Sequence, residues 1–456
     1  MKKNIRFTSF KDMLKHYAGN GRTAFVFERN GEKKTLTYEE VLELTDRRSS
    51  ELKKETGSCI GIFTSSSPEC IITILSAVAT RMQVVLLDED QSDDTVIAQI
   101  KATDIDCLYS DDPAVAEEFR PHLTSGIGKE SDGILFFTSG TTGSSKAVVL
   151  SEKSLCSSAY NGSAMLPLKE EDILMCMLPL NHVFGFVCSL LWGLSCGATV
   201  ALGRGMRYIT QDLGYFEPTA VSLVPLLLGF LLKGKLLNDD LETILIGAGD
   251  CPQALLDMTR AMGKRVCFGY GLTETSSGVA ISVDGDPKAM SICPDDRISI
   301  AADGEVLIEA PTCMMKGYYK DKISTDRVLK DGVLYTGDLG FIDEEGKLHI
   351  TGRKKEIIVL PNGTKVFLPE YEQKIANALE NTELAVILLK DRLALVIKAL
   401  KDDLEDIRGK VLQLMKELPR AQQISDIIIR EEALPKTASG KIKRWIIEKE
   451  ENEKNG

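Results

Sequence analysis

The chain alternates short apolar runs with longer amphipathic stretches, and this alternation limits its fold more than any other feature. Cys59 to Phe63 predicts a buried strand and Glu69 to Thr80 a helix. Gln83 to Leu87 predicts a second strand, followed by a helix from Thr95 to Thr103. The rhythm returns at Asp172 to Leu178, Ala220 to Leu223, Thr243 to Ile246 and Arg265 to Phe268. Strands separated by helices pair in parallel, because each helix carries the chain back across the sheet face. The expected class is therefore α/β.

The texture changes after about residue 300. Gly304 to Ile308 and Leu334 to Ile350 predict antiparallel strands, with Asp343-Glu344-Glu345-Gly346 as a hairpin turn. From Pro369 the pattern mixes a helix (Glu370 to Leu379), strands (Leu384 to Leu389, Leu393 to Leu400) and a helix (Leu404 to Glu417). That reads as a small α+β domain. The charged tail from Glu448 to Gly456 is expected to fray.

Charge and cysteines bound the function. Net charge is −12, which argues against a nucleic-acid binder, since phosphate contacts need clustered Lys and Arg. The 11 cysteines are scattered, odd in number and without a CxxC pair, so they read as buried thiols in a reducing, cytoplasmic compartment. No apolar stretch follows Met1 to Arg6, so no signal peptide is expected. Met177 to Gly203 carries no Asp, Glu, Lys or Arg. It also contains Pro179, Asn181, His182 and several glycines, so a buried strand end, loop and helix are expected rather than membrane insertion.

The sharpest local signal lies between Ile134 and Leu150. An apolar run leads into Thr138-Ser139-Gly140-Thr141-Thr142-Gly143-Ser144-Ser145-Lys146, with two glycines and five hydroxyl residues from Thr138 to Ser144. Glycines let backbone N–H groups turn towards an anion, hydroxyls add donors, and the lysine adds positive charge. Lys146 is followed by Ala147, and Ala147 to Leu150 predicts a strand. A Walker lysine instead opens a helix. The expected device is strand–loop–strand, although a polar surface hairpin without a ligand has the same composition.

With these residues in view, the chain resembles the acyl-adenylate-forming superfamily of acyl-CoA synthetases, luciferases and peptide-synthetase adenylation domains. The loop matches that family's phosphate signature, except that Ser145 stands where proline is usual and Ala147 where glycine is usual. Phe268-Gly269-Tyr270-Gly271-Leu272-Thr273-Glu274-Thr275 resembles a second motif. The resemblance implies that Tyr270 stacks on adenine, Thr273 meets the α-phosphate and Glu274 holds Mg²⁺. Gly247-Ala248-Gly249 resembles the turn along the adenine and acyl pocket, and Tyr335-Thr336-Gly337-Asp338 the ribose-binding segment. Ile350 to Lys355 resembles the inter-domain hinge, with Arg353 reaching the ribose and Lys355 at the pivot. Leu434 to Lys441 resembles the final motif, whose lysine, here Lys441, serves the adenylation step. Leu178 to Gly185 resembles the segment whose histidine, here His182, gates the carboxylate pocket. Pro361 to Glu372 resembles the thiol-acceptor loop around Gly363, although Pro369 falls one position late.

The resemblance implies a large N-terminal domain, 1–352, of α/β subdomains plus a barrel-like segment, and a mobile α+β lid domain, 353–456. It also implies an AMP-forming ligase that joins a small-molecule carboxylic acid to coenzyme A through an acyl adenylate, with ATP as co-substrate and Mg²⁺ as cofactor. The hinge run Arg353 to Val359, followed by Asn362-Gly363, is similar to that of bacterial fatty acyl-CoA synthetases, which favours a fatty acid. Alternatives are an aryl or succinylbenzoate-type acid, loading of an acyl carrier protein, and a non-catalytic nucleotide-binding relative.

Overall fold

Cys59–Phe63 and Gln83–Leu87 are buried at every position, and they pair in parallel from Cys59↔Gln83 to Phe63↔Leu87. Between them Pro68–Ala79 forms a helix, started by Ser67, whose side chain accepts from the Cys70 N–H, and by Pro68 in the first turn. The computed structural model describes residues 5–54, 57–124, 133–138, 146–283, 285–362, 364–380, 383–416, 418–436 and 442–455. Cys107–Tyr109 and Gly133–Phe137 extend the parallel sheet on either side. Ala147–Ser151 and Gly317–Tyr318 then continue it in antiparallel fashion, giving six strands.

A second sheet has nine strands. Its centre is parallel: Arg265–Leu272, Thr243–Ile246, Ala220–Leu223, Ile173–Cys176, Thr199–Leu202 and Thr23–Arg29 lie side by side. Antiparallel strands close both edges. At one edge the hairpin Thr23–Arg29/Glu32–Thr37 turns at Asn30 (φ 55°) and Gly31 (φ 82°). Both residues are left-handed, the conformation an Asn-Gly hairpin turn requires. At the other edge Arg265–Leu272 runs four residues beyond the expected Phe268, because it pairs with Ser277–Ser282 across a bulge at Tyr270/Gly271.

The apolar segment from Met177 folds as expected into a loop and a helix; the strand end expected at its start stops at Cys176, and a further strand follows the helix. Val183–Gly185, a π turn at Phe186–Leu191 and Trp192–Cys196 form one continuous helix, which Gly197 ends at φ 72°. Thr199–Leu202 follows as a sheet strand. Among the described residues no helix is long and apolar enough to cross a membrane.

The antiparallel segment is a five-stranded sheet built from Arg297–Ile300, Glu305–Glu309, Leu329–Lys330, Val333–Ile342 and Leu348–Arg353. Residues from Ile358 onward bury their apolar side chains in two clusters of their own, around Ile375, Leu395 and Val411 and around Val396 and Ile447. The main core ends at Leu348. In the C-terminal segment Pro369 occupies the first turn of the helix Leu368–Leu379, where its missing N–H costs no hydrogen bond. The tail does not fray: Arg444–Asn455 is a helix, and Arg430 pairs with Glu450 and Glu451 on it.

Candidate active site

The loop Thr138 to Lys146 joins two strands of the six-stranded sheet. Ile134, Leu135 and Phe136 are fully buried, and Phe136 meets Phe186 edge-on with ring centres 5.6 Å apart. Each such side chain contributes about 1.5–3 kcal/mol of burial, so the loop stands on a rigid base. Thr138 N–H donates to the Lys146 carbonyl at 2.9 Å, and Lys146 N–H to the Thr138 hydroxyl at 3.3 Å. Lys146 therefore sits at the start of a strand, unlike a Walker lysine. Ser139, Gly140, Thr141, Thr142, Gly143, Ser144 and Ser145 lie outside the described residues, as do Gly363 and Lys441.

Strand Gly317–Tyr318 pairs with Val148 and Val149 directly beside the loop. That pairing carries Tyr318 under Lys146, whose Nζ lies 4.5 Å from the ring centre. The Tyr318 hydroxyl donates to Glu274 Oε1 at 2.6 Å. Burial, then the adjacent Glu274, push the Tyr318 hydroxyl far above its usual value, so it stays a donor. One tyrosine thus joins the loop lysine to the carboxylate of the second motif. Sequence reasoning missed it, because no spacing separates Tyr318 from the other ten of the chain's 11 tyrosines.

Thr273 and Glu274 occupy a 3₁₀ turn at the end of Arg265–Leu272. The Thr275 hydroxyl caps this turn, accepting from Leu272 N–H and donating to the Ser277 carbonyl. Met315 N–H donates to the Glu274 carbonyl at 2.8 Å. Gly271 is required by close approach: a Cβ there would stand 1.9 Å from the Ser277 carbonyl oxygen.

The ribose-segment residues form a second station. Asp338 is buried; its Oδ2 accepts from the Tyr270 hydroxyl at 2.8 Å and its Oδ1 pairs with Arg353 Nε at 2.8 Å. Burial, with Asp338 adding to it, holds the Tyr270 hydroxyl well above its ordinary value. The turn that presents Asp338 passes through Gly337 at φ 72°. Its N–H donates to Glu305 Oε1 at 2.8 Å, and Lys354 Nζ holds Glu305 Oε2 at 2.6 Å. Glu305 and Lys354 are positioning residues that the motifs did not single out.

One cleft of about 1840 Å³ gathers these groups. Thr138, Lys146, His182, Gly269, Tyr270, Gly271, Thr273, Glu274, Asp338, Arg353 and Lys355 all line it. Ala248, left-handed at φ 60°, and Gly249 line it too. Gly247 does not; it is packed against Phe184, whose ring a Cβ would meet at 2.7 Å. His182 is exposed towards the open cleft, yet desolvation by the surrounding protein pushes its imidazole below the ordinary value, with nearby Asp88 pulling the other way, which favours the neutral ring. Lys355 is exposed by surface area, yet desolvation by the surrounding protein and neighbouring Arg353 hold its ammonium below the lysine range, against the pull of Asp338. Lys146 and Glu274 are also within its electrostatic reach, so Lys355 faces the cleft. None of the 11 cysteines is in a disulfide, and none lies among the groups at either station.

The family model described as "AMP-binding enzyme" matches residues 15–132 and 127–319. A 2-succinylbenzoate–CoA ligase of Listeria monocytogenes is 30% identical over 337 residues, 71% of each chain. An indoleacetate–CoA ligase of Aromatoleum aromaticum is 30% identical over 348 residues, 70% of this chain and 67% of that one. In structure, o-succinylbenzoate CoA synthetase from Bacillus subtilis, solved with its acyl-adenylate intermediate, superposes with a TM-score of 0.81. It is 22% identical and covers 95% of this chain and 97% of its own.

Proposed function

Because this chain belongs to the AMP-binding enzyme family, we propose that it is an AMP-forming acid–thiol ligase that converts a carboxylic acid and coenzyme A to an acyl-CoA at the expense of ATP. The observation that carries this reading is the pair of stations in one cleft. Asp338, held by Tyr270 and Arg353, suits ribose hydroxyls, and Lys146 with Glu274, joined by Tyr318, suits the phosphates.

In the first step a carboxylate oxygen attacks the α-phosphorus of ATP. The bond to the bridging oxygen breaks and pyrophosphate leaves. Lys146 and the loop amides hold the phosphates, Thr273 meets the α-phosphate, and Lys441 neutralises charge between the attacking carboxylate and phosphorus. In the second step a thiol attacks the acyl carbon, AMP leaves with the carbonyl-bound oxygen, and the thiol proton passes to solvent. The protein's share is positioning and charge stabilisation. Neutral His182 gates the acid without repelling or pairing with its carboxylate.

Glu274 would hold Mg²⁺. Oε1 accepts from Tyr318, and among the described residues no hydrogen bond engages Oε2. Among the described residues no group of three or more His, Cys, Asp or Glu is placed to hold a metal by itself. That donor set fits Mg²⁺, which takes few protein carboxylates and completes its shell with phosphate and water. When bound, the ion would offset phosphate charge.

Residues 353–456 act as the lid in this reading, turning about Lys355 to bring Gly363 to the acyl adenylate. Phe367 packs its ring on Gly352, where a Cβ would stand 2.2 Å from it, so this contact must part when the lid turns.

The acid is the finer question. The hinge run favours a fatty acid, whereas the relatives reported above are ligases of succinylbenzoate and indoleacetate. We infer a ring-bearing acid, with coenzyme A rather than a carrier protein as acceptor. ATP–pyrophosphate exchange across aryl and alkanoic acids tests this, with acyl-CoA formation as the second readout. Exchange that needs an aryl acid is expected. A preference for long alkanoic acids overturns the acid assignment. Nucleotide binding without exchange for any acid favours the non-catalytic relative.

A further inference from the structure

Beside the cleft lies a second, much smaller pocket with room for little more than one water-sized group, about 20 Å³. Cys188, Leu245, Gly278 and Ile281 line both spaces, so these residues are the wall between them. The far side of the small pocket is the helix Glu152–Met165, which contributes Ser158, Ala159 and Gly162. Trp192 closes it, its indole N–H already spent on the Leu166 carbonyl at 2.9 Å.

Ser158 is the anomaly. Its residue is 3% exposed, yet among the described residues its hydroxyl has no hydrogen-bond partner. A helical serine usually returns its hydroxyl to the carbonyl four residues back, and a buried hydroxyl left alone is costly. A donor and acceptor kept unspent in an otherwise apolar pocket marks a place for a hydrogen-bonding atom.

The wall is able to yield. The Cys188 thiol meets the Ser277 hydroxyl at 3.4 Å, a weak contact, and no stronger hydrogen bond fixes the sulfur among the described residues.

We propose that this pocket is the far end of the acid site and receives one oxygen, a hydroxyl or keto group carried by the substrate on the end opposite its carboxylate, with Ser158 as its partner. The inference rests on the ligase reading and narrows it to compact acids with a polar tip. Neither the apolar wall nor Trp192 can recognise such an atom, so discrimination falls to Ser158.

The test uses the full chain and a matched pair, 3-phenylpropanoate and 3-(4-hydroxyphenyl)propanoate, in ATP–pyrophosphate exchange. Wild type should favour the hydroxylated acid by about tenfold in kcat/KM, the worth of one buried hydrogen bond. Ser158→Ala should bring that ratio within about twofold by slowing the hydroxylated acid alone. The variant loses no native partner and gains helix propensity, so it folds. A wild-type ratio near one, or an equal loss for both acids, overturns the proposal. If neither acid supports exchange, the ligase reading is judged on the wider acid panel, and the pair is compared by its shift of Tm with ATP present. A hydroxyl-dependent shift that Ser158→Ala abolishes then keeps the pocket assignment; its absence overturns it.

Discussion

Tyr318→Phe isolates a single oxygen in the proposed phosphate station. The ring stays under Lys146, so the cation–π contact at 4.5 Å is kept, while the 2.6 Å donation to Glu274 is lost. A hydrogen bond to a carboxylate contributes about 1.5–3 kcal/mol, more when the site is shielded, as it is here. If that bond sets the direction of the Glu274 carboxylate, adenylation falls by about ten- to a hundred-fold. ATP–pyrophosphate exchange over a Mg²⁺ titration reads the loss, with thioester formation from supplied acyl adenylate as the control. The control should stay within about twofold, because no pyrophosphate is handled there. Tyr318→Leu should lose more, since the cation–π contact, about 0.5–2 kcal/mol, goes as well. Because the Tyr318 hydroxyl lies far above its usual value, the difference between wild type and Tyr318→Phe should not shrink as pH rises from 7 to 9. Exchange by Tyr318→Phe within twofold of wild type, with an unchanged Mg²⁺ dependence, would refute the coupling.

Three further outcomes follow from particular residues. Lys441→Ala should abolish acyl-adenylate formation and leave thiol transfer from supplied acyl adenylate nearly intact; equal loss of both steps refutes the two-position lid. Gly271→Ala should lower stability by about 3 kcal/mol and remove nucleotide binding, because its Cβ would overlap the Ser277 carbonyl at 1.9 Å; a folded variant with wild-type ATP affinity in calorimetry contradicts this. Asp296, which accepts from Asn161 Nδ2 at 3.1 Å, is pushed from 3.8 to about 7 by burial, with Asp295 adding. Its raised value means that its contribution to stability is full below about pH 4 and is lost as pH rises through 7. Asp296→Asn keeps an acceptor and never charges, so Tm should rise over wild type at pH 8 and not at pH 4; equal differences at both pH values would exclude the linkage.

The segments whose apolar residues are contiguous were legible without the fold. Cys59–Phe63, Gln83–Leu87, Ala220–Leu223 and Thr243–Ile246 are strands with the bounds their apolar runs give. Burial on both faces of a parallel sheet leaves no room for polar alternation, so the signal is local. The expectation of a frayed tail erred because its stabilising partner, Arg430, lies some twenty residues upstream on the strand Asp426–Arg430. The N-terminal hairpin carried a readable signal at Asn30-Gly31 that the strand–helix rhythm passed over.

By itself the sequence determined the α/β class, the placement of the Thr138 to Lys146 segment between two strands and most residues of the two stations, because each is written in neighbouring residues. Only the tertiary structure decided that Tyr318 stands between Lys146 and Glu274, that Asp338 is shared by Tyr270 and Arg353, and that Ser158 faces a small pocket without a partner among the described residues. Those contacts arise where strands far apart in the chain become sheet neighbours. The register of that pairing is a property of the whole packed core, and no local spacing encodes it.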